Sequence, residues 1–199
     1  MPNTAGIDEV GRGSLAGPIF AAVAVFDSFR EDCPVPDIKD SKLYADESHR
    51  ERAFRALLLC PELLGFAWGE VDNTVIDQKG INWANQEVFQ LALCAVQVPI
   101  DYLIVDGKMP VEHWPRAQDV KPKADRDHWQ VGAASVIAKV LRDRLMHDWA
   151  KVYPAYSWET NKGYGSMRHQ QGLLQAGLSP LHRRSFCRKW MAGEPAGNF

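Results

Sequence analysis

The stretch "AGIDEVGRGSLAGPIFAAVAVF", residues 5–26, decides how the rest of the chain is read. Its second half, "PIFAAVAVF" (18–26), is a continuous apolar run of strand length, the pattern of a strand covered on both faces. Such a strand needs a layer on each side. Its first half places two carboxylates, Asp8 and Glu9, directly before a glycine-rich run. Consecutive strand residues point to opposite faces, so both side chains reach one site only if the backbone bends there. Gly11 and Gly13 predict such a bend or bulge.

Outward from this stretch, "LLGFAWGEV" (63–71) and "DYLIVDG" (101–107) read as two further strands, the second stopping at Asp106-Gly107. Three segments carry helical spacing: 46–59 with Asp46 or Ser48 as its cap, 85–96, and 133–153. In the last, Val136, Val140, Leu141, Leu145 and Trp149 form one stripe, with Lys139, Arg142, Asp143 and Asp148 off it. Strands followed by mixed strands and helices predict an α/β layered domain. Residues 32–43, with Pro34 and Pro36, read as a loop, and the tail from Glu194 as frayed.

The 199 residues are 46% hydrophobic and 24% charged, enough for one domain, or one domain with a small appendage. No apolar run reaches the roughly 18 residues of a membrane span, and the first residues lack a signal-peptide pattern. Cys33, Cys60, Cys94 and Cys187 form no CxxC pair, which reads as reduced thiols in a cytoplasmic protein. Of 23 basic and 25 acidic residues, seven basic but only two acidic ones fall in 151–199. An acidic body with a basic C-terminal quarter fits a polyanion guided toward a carboxylate site, although a solvated basic tail has the same composition.

Asp106 ends an apolar strand, where open α/β sheets place ligands, although Asp before Gly is also a common turn. In "KPKADRDHWQVGAAS" (121–135), Asp125 and Asp127 precede a helix and, taken alone, read as partners of its dipole. Asp143 has arginine neighbours to pair with. Together, three separated acidic positions suggest Mg²⁺ chemistry, because Mg²⁺ takes carboxylate oxygens and is completed by water and substrate phosphate. Two such ions about 4 Å apart serve phosphodiester cleavage. No phosphate-binding glycine loop, HExxH or GxSxG competes, and the six histidines show no ligand spacing.

"GIDEVGRGSLAGP", "VDG", "KADRDHWQVGAASVIAKVLRDR", "NKGYGS" and "LHRRSF", colinear from about residue 5 to 187, resemble the ribonuclease HII (type 2 ribonuclease H) family. The resemblance implies a ribonuclease H-like mixed sheet flanked by helices, with residues 1–150 as catalytic core and 151–199 as a helical extension packed on it. It implies a monomeric enzyme that uses Mg²⁺ or Mn²⁺, two ions with substrate bound. It would cut the RNA strand of RNA–DNA hybrids, and 5′ of single ribonucleotides in duplex DNA, leaving 3′-hydroxyl and 5′-phosphate ends. By motif position the catalytic and metal-holding residues are Asp8, Glu9, Asp106 and Asp125; Asp125 rather than Asp127 follows the family's Lys-small pair and keeps its spacing to Ala-Ala-Ser. Gly11, Arg12 and Gly13 match the loop that contacts the ribonucleotide, and Tyr164 a tyrosine that packs on the next deoxyribose. Lys42 and Lys162 are candidate phosphate contacts, with solvated surface lysine as the alternative, and Arg183 and Arg184 fit a structural contact equally well. Ser14 stands where the family usually has proline, which predicts a looser loop. "DSKLY" departs from the usual DSKKLS. The type 3 branch fits less well, since it usually carries lysine where Arg12 stands and has an additional N-terminal domain. A nucleic-acid-binding module without catalysis is the alternative from another class.

Overall fold

The computed structural model describes residues 2–27, 33–35, 38, 44 and 46–191; most of the expected 32–43 loop, Lys42 within it, and the tail from Glu194 lie outside these. Five strands, β1 (Thr4–Val10), β2 (Ile19–Phe26), β3 (Leu63–Val71), β4 (Tyr102–Asp106) and β5 (Ala117–Lys121), pair in the order β3-β2-β1-β4-β5. The first three run antiparallel, whereas β4 lies parallel to β1 and β5 parallel to β4. The sheet is therefore mixed. β5 is the strand whose sequence, AQDVK, gives no apolar run: it is an edge strand, paired on one side only and nowhere fully buried.

β2 is buried at every residue and splits its side chains between two cores. Ile19, Ala21, Val23 and Val25 face α3 (Ile81–Ala95), joined by Val88, Phe89 and Ala92. Ala22, Ala24 and Phe26 face α5 (Trp129–Val152) and α1 (Glu47–Leu58), with Phe54, Leu57 and Val136. This is the two-sided coverage that the apolar run predicts. α1 begins where expected, with the Asp46 carboxylate accepting from His49 N–H at 3.0 Å. Gly6 brings α5 onto β1, because a side chain there would meet the backbone of Gln130 and Val131 at 2.3 Å.

α5 is not the one-striped helix that its sequence suggests. Arg142 and Asp143, off the apolar stripe, are as buried as the stripe itself. The sheet takes one side of the helix, α1 a second, and the residues after Tyr153 a third. Asp143 pairs with Lys139 Nζ at 2.6 Å and Arg50 Nη2 at 3.6 Å rather than with its adjacent arginines.

Past α5, the chain forms a short 3-10 turn (Pro154–Tyr156), α6 (Trp158–Asn161) and α7 (Met167–Ala176). These elements build their own cluster of Tyr156, Trp158 and Leu173 with Met146 and Ala150 of α5. Ala16, from the loop after β1, belongs to the same cluster.

Candidate active site

Because β1 and β4 are parallel with Ile7 opposite Val105, the next residues, Asp8 within β1 and Asp106 at the end of β4, stand on neighbouring strands. The main-chain N–H of Ala124 donates to Asp106 Oδ1 at 2.8 Å, docking the four-residue helix α4 (Ala124–Asp127) against β4. Lys123 enters that helix in the left-handed region, φ +63°, a conformation that costs a residue with a side chain about 1–2 kcal/mol. The turn delivers Asp125 to the cluster. One carboxylate oxygen from each of Asp8, Asp106 and Asp125 lies within 4.8 Å of the others. Asp125 is buried and Asp127 exposed, which separates the two candidates as the motif spacing does.

Three carboxylates this close repel one another. Burial, then Glu9, Asp106 and Asp125 in turn, push the Asp8 carboxyl well above its ordinary value, against an opposing hydrogen bond from Ser135 of α5. A donor set of hard anionic oxygens, with repulsion that a cation removes, fits Mg²⁺ or Mn²⁺.

Glu9 does not join this group. The ladder between β1 and β2 runs unbroken from Thr4–Phe26 to Val10–Phe20, so there is no bulge at Glu9. The bend expected there comes two residues later, at Gly11, with φ +87°. Glu9 therefore points to the α3 side, where it lines a cavity with Asp106 and Arg12. Asp106 belongs to both the cluster and the cavity.

The loop from Gly11 to Pro18 is held from beneath by two buried arginines. Arg142 donates from Nε to Pro18 C=O, from Nη1 to Lys162 C=O, and from Nη2 to Ser14 Oγ and Ala16 C=O, at 2.8–3.1 Å. Arg183 donates to Gly17 C=O and Arg12 C=O, both at 2.9 Å. Among the described residues neither arginine forms an ion pair. Burial, with Arg142 nearby, lowers the Arg183 guanidinium to about 9, and burial lowers that of Arg142. A side chain at Gly11 would sit 2.3 Å from Arg142 Nε, so glycine is required there for space as well as for its positive φ. Arg183 is thus structural, and Arg184, exposed, donates its main-chain N–H to Asp77.

Ser14 corrects the expectation of a looser loop. Its buried hydroxyl donates to Gly11 C=O at 2.8 Å and accepts from Arg142 at 2.8 Å, so a hydrogen-bonded tie secures the turn. Arg12 leans away from its own loop, donating to Asn85 Oδ1 and Asn82 Oδ1, both at 2.7 Å. Arg12 and Gly13 are exposed residues, and the Arg12 carbonyl is held by Arg183.

Tyr164 stands over Arg142, 5.6 Å from ring centroid to guanidinium, and its hydroxyl oxygen accepts from Gly11 N–H at 3.2 Å. The glycine loop and the tyrosine are therefore one assembly, although 153 residues separate them. Beneath Tyr164, Ser179 N–H donates to His182 Nδ1, which leaves the proton on Nε2 to donate to His169 Nε2 at 2.9 Å. His169 Nε2 also accepts from Trp158, and its Nδ1–H donates to Tyr164 C=O. Burial and His169 push His182 down to about 4, and every ring nitrogen of the pair is engaged in a hydrogen bond, so the pair is a neutral strut.

Lys162 is corrected as a phosphate contact. Its ammonium is buried, donates to Glu159 C=O and Glu47 Oε2, and lies 2.8 Å from His147 Nε2, so it is committed within the protein. Lys42 lies outside the described residues. The sequence does not flag Ser135, Asn82, Asn85 or the buried role of Arg142, because their partners are 70 or more residues away in the chain.

The chain matches the Ribonuclease HII family model over residues 5–189. It belongs to the ribonuclease HII family. A curated Ribonuclease HII of Synechococcus sp. (strain JA-3-3Ab) is 36% identical over 199 residues, covering 99% of this chain and 88% of that one. The crystal structure of ribonuclease H2 from Pyrococcus horikoshii OT3 superposes with a TM-score of 0.80 at 28% identity, covering 96% and 97% of the two chains. RNase H3 from Aquifex aeolicus shares the fold alone, with a TM-score of 0.57 at 14% identity over 92% of this chain and 72% of its own. As a ribonuclease HII, the chain is an endoribonuclease acting on the RNA of RNA–DNA hybrids. The observed mixed sheet and flanking helices are the ribonuclease H-like fold. No helix among the described residues is long and apolar enough to cross a membrane.

Proposed function

We propose that this ribonuclease HII cuts 5′ of single ribonucleotides embedded in duplex DNA, as well as hybrid RNA, leaving 3′-hydroxyl and 5′-phosphate ends. The observation that carries the reading is the Asp8–Asp106–Asp125 cluster, Asp8 and Asp125 buried and Asp106 half-buried, together with a glycine loop whose Arg12 and Gly13 are exposed. The three aspartates hold two divalent ions, Mg²⁺ or Mn²⁺, with Glu9 completing the site from the α3 side. Bound there, such ions supply an activated water and neutralise the charge that builds up on the phosphodiester. Asp8 and Asp106 are fixed by parallel strands and Asp125 by its turn, so the site is organised before substrate arrives.

Recognition falls to the loop. The loop at Arg12 and Gly13 reads the 2′-hydroxyl, the group that separates RNA from DNA. Tyr164, backed by Arg142, packs on the deoxyribose that follows, so the RNA-to-DNA junction is read by one rigid assembly. We further propose a monomer with residues 151–199 as an extension of the core, working in the cytoplasm in ribonucleotide repair; the four free thiols support that compartment.

The test is cleavage of a DNA duplex containing one ribonucleotide, with Mg²⁺, Mn²⁺ or EDTA, beside a duplex with four consecutive ribonucleotides. Metal-dependent incision on the 5′ side of the single ribonucleotide is expected. Asp106→Asn should lower turnover at least about a thousandfold, several kcal/mol of transition-state stabilisation, with the circular dichroism spectrum unchanged. Cleavage only of the four-ribonucleotide duplex would refute the single-ribonucleotide reading, and unchanged turnover of Asp106→Asn at saturating Mg²⁺ the site.

A further inference from the structure

On the α3 side of the sheet a cavity of about 650 Å³ opens between the first turns of α3 and residues 107–112. Glu9 and Asp106 belong to its lining, so it is continuous with the carboxylate cluster through Asp106. Trp83 from the helix and Met109 from the loop also line it, and they are 42% and 61% exposed. Neither the aspartate cluster nor the Gly11–Tyr164 assembly uses them.

The walls are fixed. Gln86 Nε2 donates to Pro110 C=O at 3.0 Å, and Glu112 N–H donates back to Gln86 Oε1 at 3.1 Å, tying the loop to α3. Arg12, bound by Asn82 and Asn85, ties the same helix to the ribonucleotide loop. A cavity braced in this way presents an aromatic ring and a thioether at a set distance from the carboxylates.

The lining chemistry selects the occupant. Apart from Glu9 and Asp106, which the nuclease reading gives to the ions, the lining sets Glu112 against Arg12 and Lys108 and adds Trp83, Phe89 and Met109. An uncharged face suits Trp83 and Met109, while Lys79 Nζ, 5.9 Å from the Trp83 ring centroid, adds a cation for the backbone outside.

We propose that Trp83, with Met109 facing it, is a packing platform for one nucleoside of the cleaved strand adjoining the scissile phosphate. This assignment rests on the nuclease reading of the carboxylate cluster. It gives the enzyme a second grip on the cleaved strand, on the other side of the sheet from Asp8.

The test compares the full-length protein with Trp83→Ala and Trp83→Phe on the single-ribonucleotide duplex, reading kcat and KM in Mg²⁺ and Kd by anisotropy in Ca²⁺. Aromatic packing on a nucleoside is worth about tenfold in affinity. Trp83→Ala should raise KM and Kd by about that factor with kcat within about twofold, and Trp83→Phe should restore most of the loss. Shortening the cleaved strand one nucleotide at a time should then abolish the difference between wild type and Trp83→Ala at one defined length. Equal Kd for wild type and Trp83→Ala, or a difference that persists at every strand length, would overturn the platform. Because Kd is read without cleavage, a wild-type protein that binds but does not cut the duplex would count against the nuclease reading alone.

Discussion

Two buried groups of charge lie on either side of the turn at Gly11, and they are resolved in opposite ways. On β1, at the end of β4 and in α4, three aspartates gather with their oxygens within 4.8 Å, and burial, Glu9 and the other two aspartates raise the proton affinity of Asp8. Under the loop, Arg142 and Arg183 are equally buried, yet main-chain carbonyls and the Ser14 hydroxyl surround them. Carbonyls and a hydroxyl of the protein take most of the guanidinium protons, Arg183 Nη2 excepted, whereas the aspartates keep a repulsion around Asp8 that a cation would relieve. Like charges gathered in a desolvated place are costly, and that cost separates the two groups. The arginines brace the loop, and the aspartates are the candidate metal ligands.

That contrast breaks first at Arg142. Arg142→Met keeps the bulk but strands four acceptors, and hydrogen bonds to a charged group are each worth about 1.5–3 kcal/mol. Urea unfolding should show a loss of at least about 3 kcal/mol; a variant as stable as wild type would mean that the carbonyls do not need the cation.

The aspartate side sharpens it in the reverse sense. Mg²⁺ at a hundred times its Kd should stabilise the wild type by about 2.7 kcal/mol, seen as a rise in melting temperature. Asp8→Asn should melt higher than wild type in EDTA, since it removes one repelling charge, and should lose most of the Mg²⁺ response. If Asp8→Asn is instead destabilising in EDTA and still responds fully to Mg²⁺, the three carboxylates are not the metal ligands.

Ser14 gives the smallest effect. Ser14→Ala removes one acceptor from Arg142 and one donor to Gly11, a loss of about 1 kcal/mol in urea, with KM for the ribonucleotide duplex raised more than kcat is lowered. An unchanged KM would detach the arginine network from substrate recognition.

Much of this was legible because it is local. The run at 18–26 specified a strand buried on both sides, and residues 63–71 and 101–107 gave strands with bounds within a residue of those observed. The cluster of Asp8, Asp106 and Asp125 was legible through motif order, since each aspartate stands in a short motif of adjacent residues. β5 was not, because an edge strand half in solvent carries no apolar pattern. Whether the chain bends at Glu9 was left open by the sequence, since a glycine at 11 signals a turn but not on which residue it falls; the positive φ is at Gly11. Lys162 and Arg142 were misread for one reason: a charged side chain in a sequence looks solvated until its partners are known.

The sequence by itself determined the layered α/β fold, the family and three of the site's carboxylates, because periodicity and motif spacing are properties of neighbouring residues. Only the tertiary structure decided which charges are free to work. The parallel pairing of β1 with β4 sets Asp8 beside Asp106, and the crossing of α5 under the loop turns Arg142 inward. Both depend on segments about 100 residues or more apart meeting at a few ångströms, where desolvation fixes the role of a charge and the order of residues says nothing about it.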